Sequence, residues 1–78
     1  MPVEVMKNII GILPGDCIVI DPFMGSGTTG VAVEIMNREQ NACRKFVGIE
    51  IDKDYFEIAK ARIEQEAKPR PQQMRLAV

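Results

Sequence analysis

Val3, Met6, Ile9, Ile10 and Leu13 recur at spacings of three, three, one and three, which places them on one stripe of a short helix. Pro14-Gly15-Asp16 is turn chemistry and ends that helix near Leu13. The next apolar run, Cys17-Ile18-Val19-Ile20, is short and rich in β-branched residues, which predicts a buried strand over 17–21. A glycine-rich turn follows, and Val31-Ala32-Val33-Glu34-Ile35-Met36 then suits a packed helix from about Thr28 to Glu39. Asn37 to Arg44 is polar and reads as a connection. Lys45-Phe46-Val47-Gly48-Ile49-Glu50 predicts a second strand whose apolar residues end at an acid. Asp52 is placed to cap a third helix, with Asp54 suiting the dipole in its first turn and Tyr55, Ile58, Ala59 and Ile63 on one face. Pro69-Arg70-Pro71-Gln72-Gln73 breaks the helical pattern, so a domain over residues 1–68 and a flexible tail over 69–78 are expected.

Strand, helix, strand, helix in alternation predicts an α/β fold with parallel strands joined by a right-handed crossover. Two strands are counted. Parallel strands need covering on both faces and neighbours on both sides, so a two-stranded sheet leaves at least one hydrogen-bonding edge unfilled. The expectation is a sheet completed by oligomerisation or by a partner chain, or a fragment of something larger.

Composition narrows the function classes. With 46% apolar and 27% charged residues the chain has the make-up of a globular domain rather than a disordered one. A formal net charge of −1 provides no bulk attraction for nucleic acid, so DNA is expected only through a partner. No apolar run approaches the ~20 residues of a membrane helix, and the start of the chain lacks a signal-peptide pattern, so the expected location is the cytoplasm. Cys17 and Cys43 stand far apart without a histidine anywhere in the chain; neither a zinc site nor a disulfide scaffold is indicated, and both read as ordinary buried thiols. The absence of histidine also removes Ser/His and Cys/His nucleophile pairs.

The chemistry is concentrated in Asp21-Pro22-Phe23-Met24-Gly25-Ser26-Gly27-Thr28-Thr29-Gly30. Gly25-x-Gly27-x-x-Gly30 matches the spacing of the dinucleotide fingerprint, and Glu50 stands at the end of the second strand, where an acid takes ribose hydroxyls. A turn whose glycines only permit positive φ and close packing is the plainer alternative. A phosphate loop is excluded, since no Lys-Ser or Lys-Thr pair follows the last glycine. Asp21 at the strand tip would repel a pyrophosphate and favour an ammonium, and Phe23 offers an apolar surface beside it. Those demands fit S-adenosylmethionine better than a nicotinamide dinucleotide.

That loop, followed by Phe46-Val47-Gly48-Ile49-Glu50-Ile51-Asp52 and Tyr55-Phe56-Glu57-Ile58-Ala59-Lys60-Ala61-Arg62-Ile63, resembles the cofactor-binding end of the DNA amino-methyltransferases, enzymes of DNA methylation and restriction-modification that act on the exocyclic nitrogen of adenine or cytosine. The likeness is to the subgroup whose catalytic box precedes its cofactor loop, and it covers roughly residues 2 to 65. Pro2-Val3-Glu4-Val5-Met6 is similar to the helix start before that loop, with Met1 where a lysine normally stands. The resemblance implies a partial Rossmann-like methyltransferase fold. It also implies that Asp21, Pro22, Phe23, Gly25, Ser26 and Gly27 surround the methionine end of S-adenosylmethionine. Thr28 and Thr29 would meet its carboxylate at the helix start, and Glu50 would accept from both ribose hydroxyls. Ile51 would flank the adenine; its alternative reading is core. The alternative for Glu50 is a solvated acid capping the next helix.

The subgroup's Pro-Pro-aromatic catalytic box, which holds a base flipped from the duplex, has no counterpart here, because no Pro-Pro pair exists in the chain. No catalytic residue is therefore assigned, and methylation by this chain alone is not expected. The expectation is an S-adenosylmethionine-binding fragment or subunit that works as a homo-oligomer or with a second methyltransferase chain. A non-catalytic assembly module with an unoccupied loop is the alternative.

Overall fold

The computed structural model describes residues 2–67 and, as backbone, residues 74–77. Its elements run α1 (Val3–Gly11), β1 (Ile18–Asp21), α2 (Thr28–Gln40), β2 (Lys45–Ile49), α3 (Lys53–Ala67) and β3 (Met74–Ala77). The strands are parallel in the order β1-β2-β3, so the fold is the expected α/β class, a partial Rossmann-like sheet with flanking helices. Ile18 stands opposite Lys45 and Asp21 opposite Gly48; Phe46 stands opposite Met74 and Ile49 opposite Ala77.

β3 adds a third strand to the two counted from the sequence, and it lies within the segment read as a tail. Met74-Arg75-Leu76-Ala77 contains no β-branched residue and follows a proline-rich stretch, so no local signal marks it. The edge that β2 leaves open after α3 crosses back supplies the pairing instead, an instance of context outweighing strand propensity. The rest of that reading, residues 68–73 and Val78, lies outside the described residues.

α2 is the hub, packing on α1, α3 and β2. Gly30 to Glu34 and Asn37 are buried along it. Gly30 sets the spacing: a Cβ there would stand 2.8 Å from Phe46 Cε2 and would collide with Ile63 Cδ1. Ile10, Val31, Val33, Phe46, Ala59 and Ile63 form the centre of the core around that point.

Three expectations shift once the helices are packed. α3 buries Ala59, Ile63 and Ala67, with Phe56 partly buried, while Tyr55 and Ile58 are exposed, because small Ala59 is the point of closest approach and centres the stripe on itself. Ile9 likewise stays exposed on α1, which ends at Gly11 with Ile12 as its C-cap. Cys43 is exposed and Cys17 half-buried, both as free thiols, so neither is the buried residue expected; Cys43 sits on the short connection into β2.

The polar connection is not a solvated loop throughout. Asn37 is fully buried and grips Arg44 in both directions: Asn37 Nδ2 donates to Arg44 O at 2.8 Å, and Arg44 N donates to Asn37 Oδ1 at 3.1 Å. Arg44, buried too, donates through Nη2 to Leu13 O at 2.8 Å and to Gln40 Oε1 at 2.7 Å. The end of α1, the end of α2 and the start of β2 are thereby tied into one polar knot.

Covering is one-sided. Val19, Phe46 and Gly48 face the helices, whereas Ile18 and Ile20 on the other face are 60% and 63% exposed. Among the described residues no strand pairs with the outer edge of β1.

Asn37→Ala is expected to destabilise the fold by about 1–3 kcal/mol, since it orphans a buried carbonyl and a buried amide. Arg38→Ala, which removes an exposed pairing with Glu66, should cost no more than about 1 kcal/mol. Denaturant unfolding of the two variants checks this, and equal losses would contradict the buried knot. Lys7 supplies a pH test: its hydrogen bond to Glu39, reinforced by the charges of Glu39 and Glu4, raises its pKa above 10.5. That contribution is complete below the unfolded value and is lost as pH rises through the folded one, so Lys7→Met should flatten the alkaline limb of the stability profile.

Candidate cofactor-binding site

The carboxyl ends of β1 and β2 lie side by side, and the loop from Asp21 to Gly27 rises from the first while Glu50 stands just past the second. The loop is built from fixed peptides rather than slack chain. Met24 N–H donates to Ile49 O at 3.0 Å and Gly27 N–H to Met24 O at 2.8 Å. Met24 is buried, and its sulfur lies so close over Gly48 that a Cβ at Gly48 would collide with it. No local pattern in the sequence marks Met24 as the anchor of the loop, because its partners Gly48 and Ile49 lie more than twenty positions away.

Glu50 joins the two halves of the site. Its Oε1 accepts from Gly25 N–H at 2.8 Å, and its Oε2 accepts from Asp52 N–H at 2.8 Å. Glu50 is therefore not a solvated cap. The cap of α3 is Asp52, whose Oδ1 accepts from Tyr55 N–H at 3.0 Å, as the sequence predicts. Each carboxylate oxygen of Glu50 retains a lone pair beyond the one its amide uses, so the group still has acceptor capacity for hydroxyls.

The remaining residues surround this junction. Asp21 is half-buried, and its Oδ1 accepts from Phe23 N–H at 3.1 Å, closing a local turn that displays Pro22 and Phe23 outward. Phe23 and Ile51 are each 88% exposed, two large apolar side chains standing in solvent at the same end of the sheet. For Ile51 this excludes the core reading. Thr28 and Thr29 open α2 and are half-buried; the first N–H groups of a helix have no partner within it and carry the positive end of its dipole.

Both loop glycines with positive φ are required, for different reasons. Gly25, at φ 54, would carry a Cβ into open space, so nothing in the fold occupies the volume above it. Gly27, at φ 88, caps α2 from a left-handed conformation, and a Cβ there would stand 2.8 Å from Ala59 Cβ. From α3, Arg62 reaches back across that contact: its Nη1 donates to Ser26 O at 2.8 Å and to Ser26 Oγ at 3.0 Å.

Comparison with known proteins is consistent in one direction. The family described as DNA methylase matches residues 1–61. The Type II methyltransferase M.ScaI of Streptomyces caespitosus is 43% identical over 67 residues, covering 85% of this chain and 20% of that protein. The Type II methyltransferase M2.DpnII of Streptococcus pneumoniae is 44% identical over 48 residues, covering 62% of this chain and 16% of that protein. M.SmaI of Serratia marcescens, also a Type II methyltransferase, is 51% identical over 45 residues, 58% of this chain and 13% of its own length. The chain thus spans a fifth or less of the length of these relatives.

Gly27→Ala combines a left-handed backbone penalty with overpacking against Ala59 and should cost at least about 2 kcal/mol, whereas Gly25→Ala meets only the backbone penalty of about 1–2 kcal/mol. Thermal unfolding of both variants measures the difference; an equal drop would place Gly27 outside the α2–α3 contact.

Proposed function

The chain belongs to the DNA methylase family, and from that premise we propose that it is the S-adenosylmethionine-binding segment of a DNA adenine or cytosine amino-methyltransferase. The observation that carries this reading is the Glu50–Gly25 hydrogen bond, which brings the strand-end acid and the glycine loop together as one unit. The donor set also fits the cofactor. Glu50 offers acceptors for ribose hydroxyls, Ile51 and Phe23 offer apolar surface for the adenine and the thioether side, and Asp21 offers a negative charge for the ammonium. Thr28 and Thr29 present helix-start donors for the carboxylate, while Pro22, Gly25, Ser26 and Gly27 shape the loop that receives the methionine end. When bound, S-adenosylmethionine supplies the activated methyl group; the residues of this chain bind and orient it.

The catalytic box, which no second copy of this sequence brings, and the surface that reads DNA come from the rest of a methyltransferase, either a longer chain or a second methyltransferase chain. DNA is met through that partner, while a second copy would serve only to complete the sheet. The bare face carrying Ile18 and Ile20, together with the open edge of β1, favours such completion of the sheet. The same feature supports the second reading, an assembly module whose loop takes no ligand. Among the described residues no helix is long and apolar enough to cross a membrane.

Calorimetric titration with S-adenosylmethionine and S-adenosylhomocysteine tests the first reading. Binding is expected with both, and absence of heat at millimolar ligand would leave only the assembly module. Glu50→Ala should weaken binding by about 1–3 kcal/mol, roughly tenfold to a hundredfold, and unchanged affinity would remove Glu50 from the site. Sedimentation at micromolar concentration is expected to show self-association or capture of a methyltransferase partner chain; a well-behaved monomer with cooperative unfolding would contradict the need for either.

A further inference from the structure

Arg62 lies on α3, apart from the glycine loop and the strand-end acid, yet it holds the loop residue Ser26. A single guanidinium nitrogen donates to Ser26 twice, to its carbonyl at 2.8 Å and to its hydroxyl oxygen at 3.0 Å. The peptide between Ser26 and Gly27 is consequently pinned at both ends, since Gly27 N–H is already given to Met24 O at 2.8 Å. The hydroxyl is affected more subtly. With a lone pair of Oγ facing the guanidinium, the O–H proton has to point away from α3, so Ser26 is presented to the loop's other side as a donor. A hydroxyl that accepts from a cation is also a stronger donor to its next partner.

We infer that Arg62 is a positioning residue that sets Ser26 as a hydrogen-bond donor toward an anionic oxygen, and so fixes which way round an amino-acid group lies in the loop. The carboxylate takes the side of Ser26 and the start of α2, where Arg62 and the helix dipole add positive potential. The ammonium takes the side of Asp21, whose carboxylate stands at the tip of β1. Arg62 acts through Ser26 and does not touch the ligand. The inference rests on the cofactor reading above and adds to it the residue that orients Ser26 toward the carboxylate.

Two ligands that differ only in that end separate the effects. S-adenosylhomocysteine carries the amino-acid group, and 5′-methylthioadenosine keeps the adenosine and the thioether without it. Arg62→Met is expected to weaken S-adenosylhomocysteine by about tenfold or more and 5′-methylthioadenosine by less than about threefold, the loss being that of one charge-oriented hydrogen bond. In the Ser26→Ala background the effect of Arg62→Met on S-adenosylhomocysteine should fall below about threefold, because the two residues act as one unit. Ser26→Ala leaves the bond from Arg62 to the carbonyl in place, so it carries the same ligand comparison if Arg62→Met does not fold. Equal losses for both ligands, or an Arg62 effect undiminished without the hydroxyl, would overturn the inference. Wild-type chain that binds neither ligand would overturn the cofactor reading first; wild-type chain that binds both, with equal losses in the variants, would overturn the role of Arg62 alone.

Discussion

The close approach of α2 to α3 at Gly27 and Ala59 is the constraint on which the rest of the molecule turns. No side chain fits between them, so the start of α2 is seated directly on the backbone of α3. That seating brings Gly30 onto Phe46 and Ile63, which closes the core, and it places Ser26 within reach of Arg62, which steadies the loop. Fold and site share one contact. In a chain of this size there is little room for any other arrangement, because a small domain buries too little surface to support a core and a binding site separately.

The order of elements was legible in the sequence because each element carries its own period: β-branched residues in Ile18-Val19-Ile20, helical apolar spacing after Thr28, an acid and a capping residue after Ile49. The outline of the site was legible for a related reason. Glycines at fixed offsets and an acid at a strand end are statements about the backbone, and the backbone follows local sequence. What escaped were residues whose role is set by a neighbour far along the chain. Asn37 and Arg44 look like solvated polar residues until the strand turns back beside the helix and encloses them. Tyr55 and Ile58 look like core until Ala59 decides which side of α3 faces inward. Arg62 meets Ser26 across 36 positions, and no local pattern announces such a pair. β3 belongs to the same class, since its partner strand rather than its composition makes it a strand.

The sheet is covered by helices on one face only. A parallel sheet ordinarily carries helices on both faces, and here all the described helices gather around α2. Ile18 and Ile20 have the chemistry of interior residues without an interior to occupy. The chain covers a fifth or less of the length of its relatives.

The double engagement of Glu50, with one oxygen on Gly25 and the other on Asp52, has a consequence for the cost of recognition. A glycine loop left to itself samples many conformations, and a ligand that must order it loses part of its binding free energy in doing so. In this chain Glu50 holds the loop from within the fold, through Gly25 N–H on one oxygen and Asp52 N–H on the other. A small molecule that bound at the loop would meet a frame held in advance by these two bonds, and would lose less of its binding free energy to ordering it.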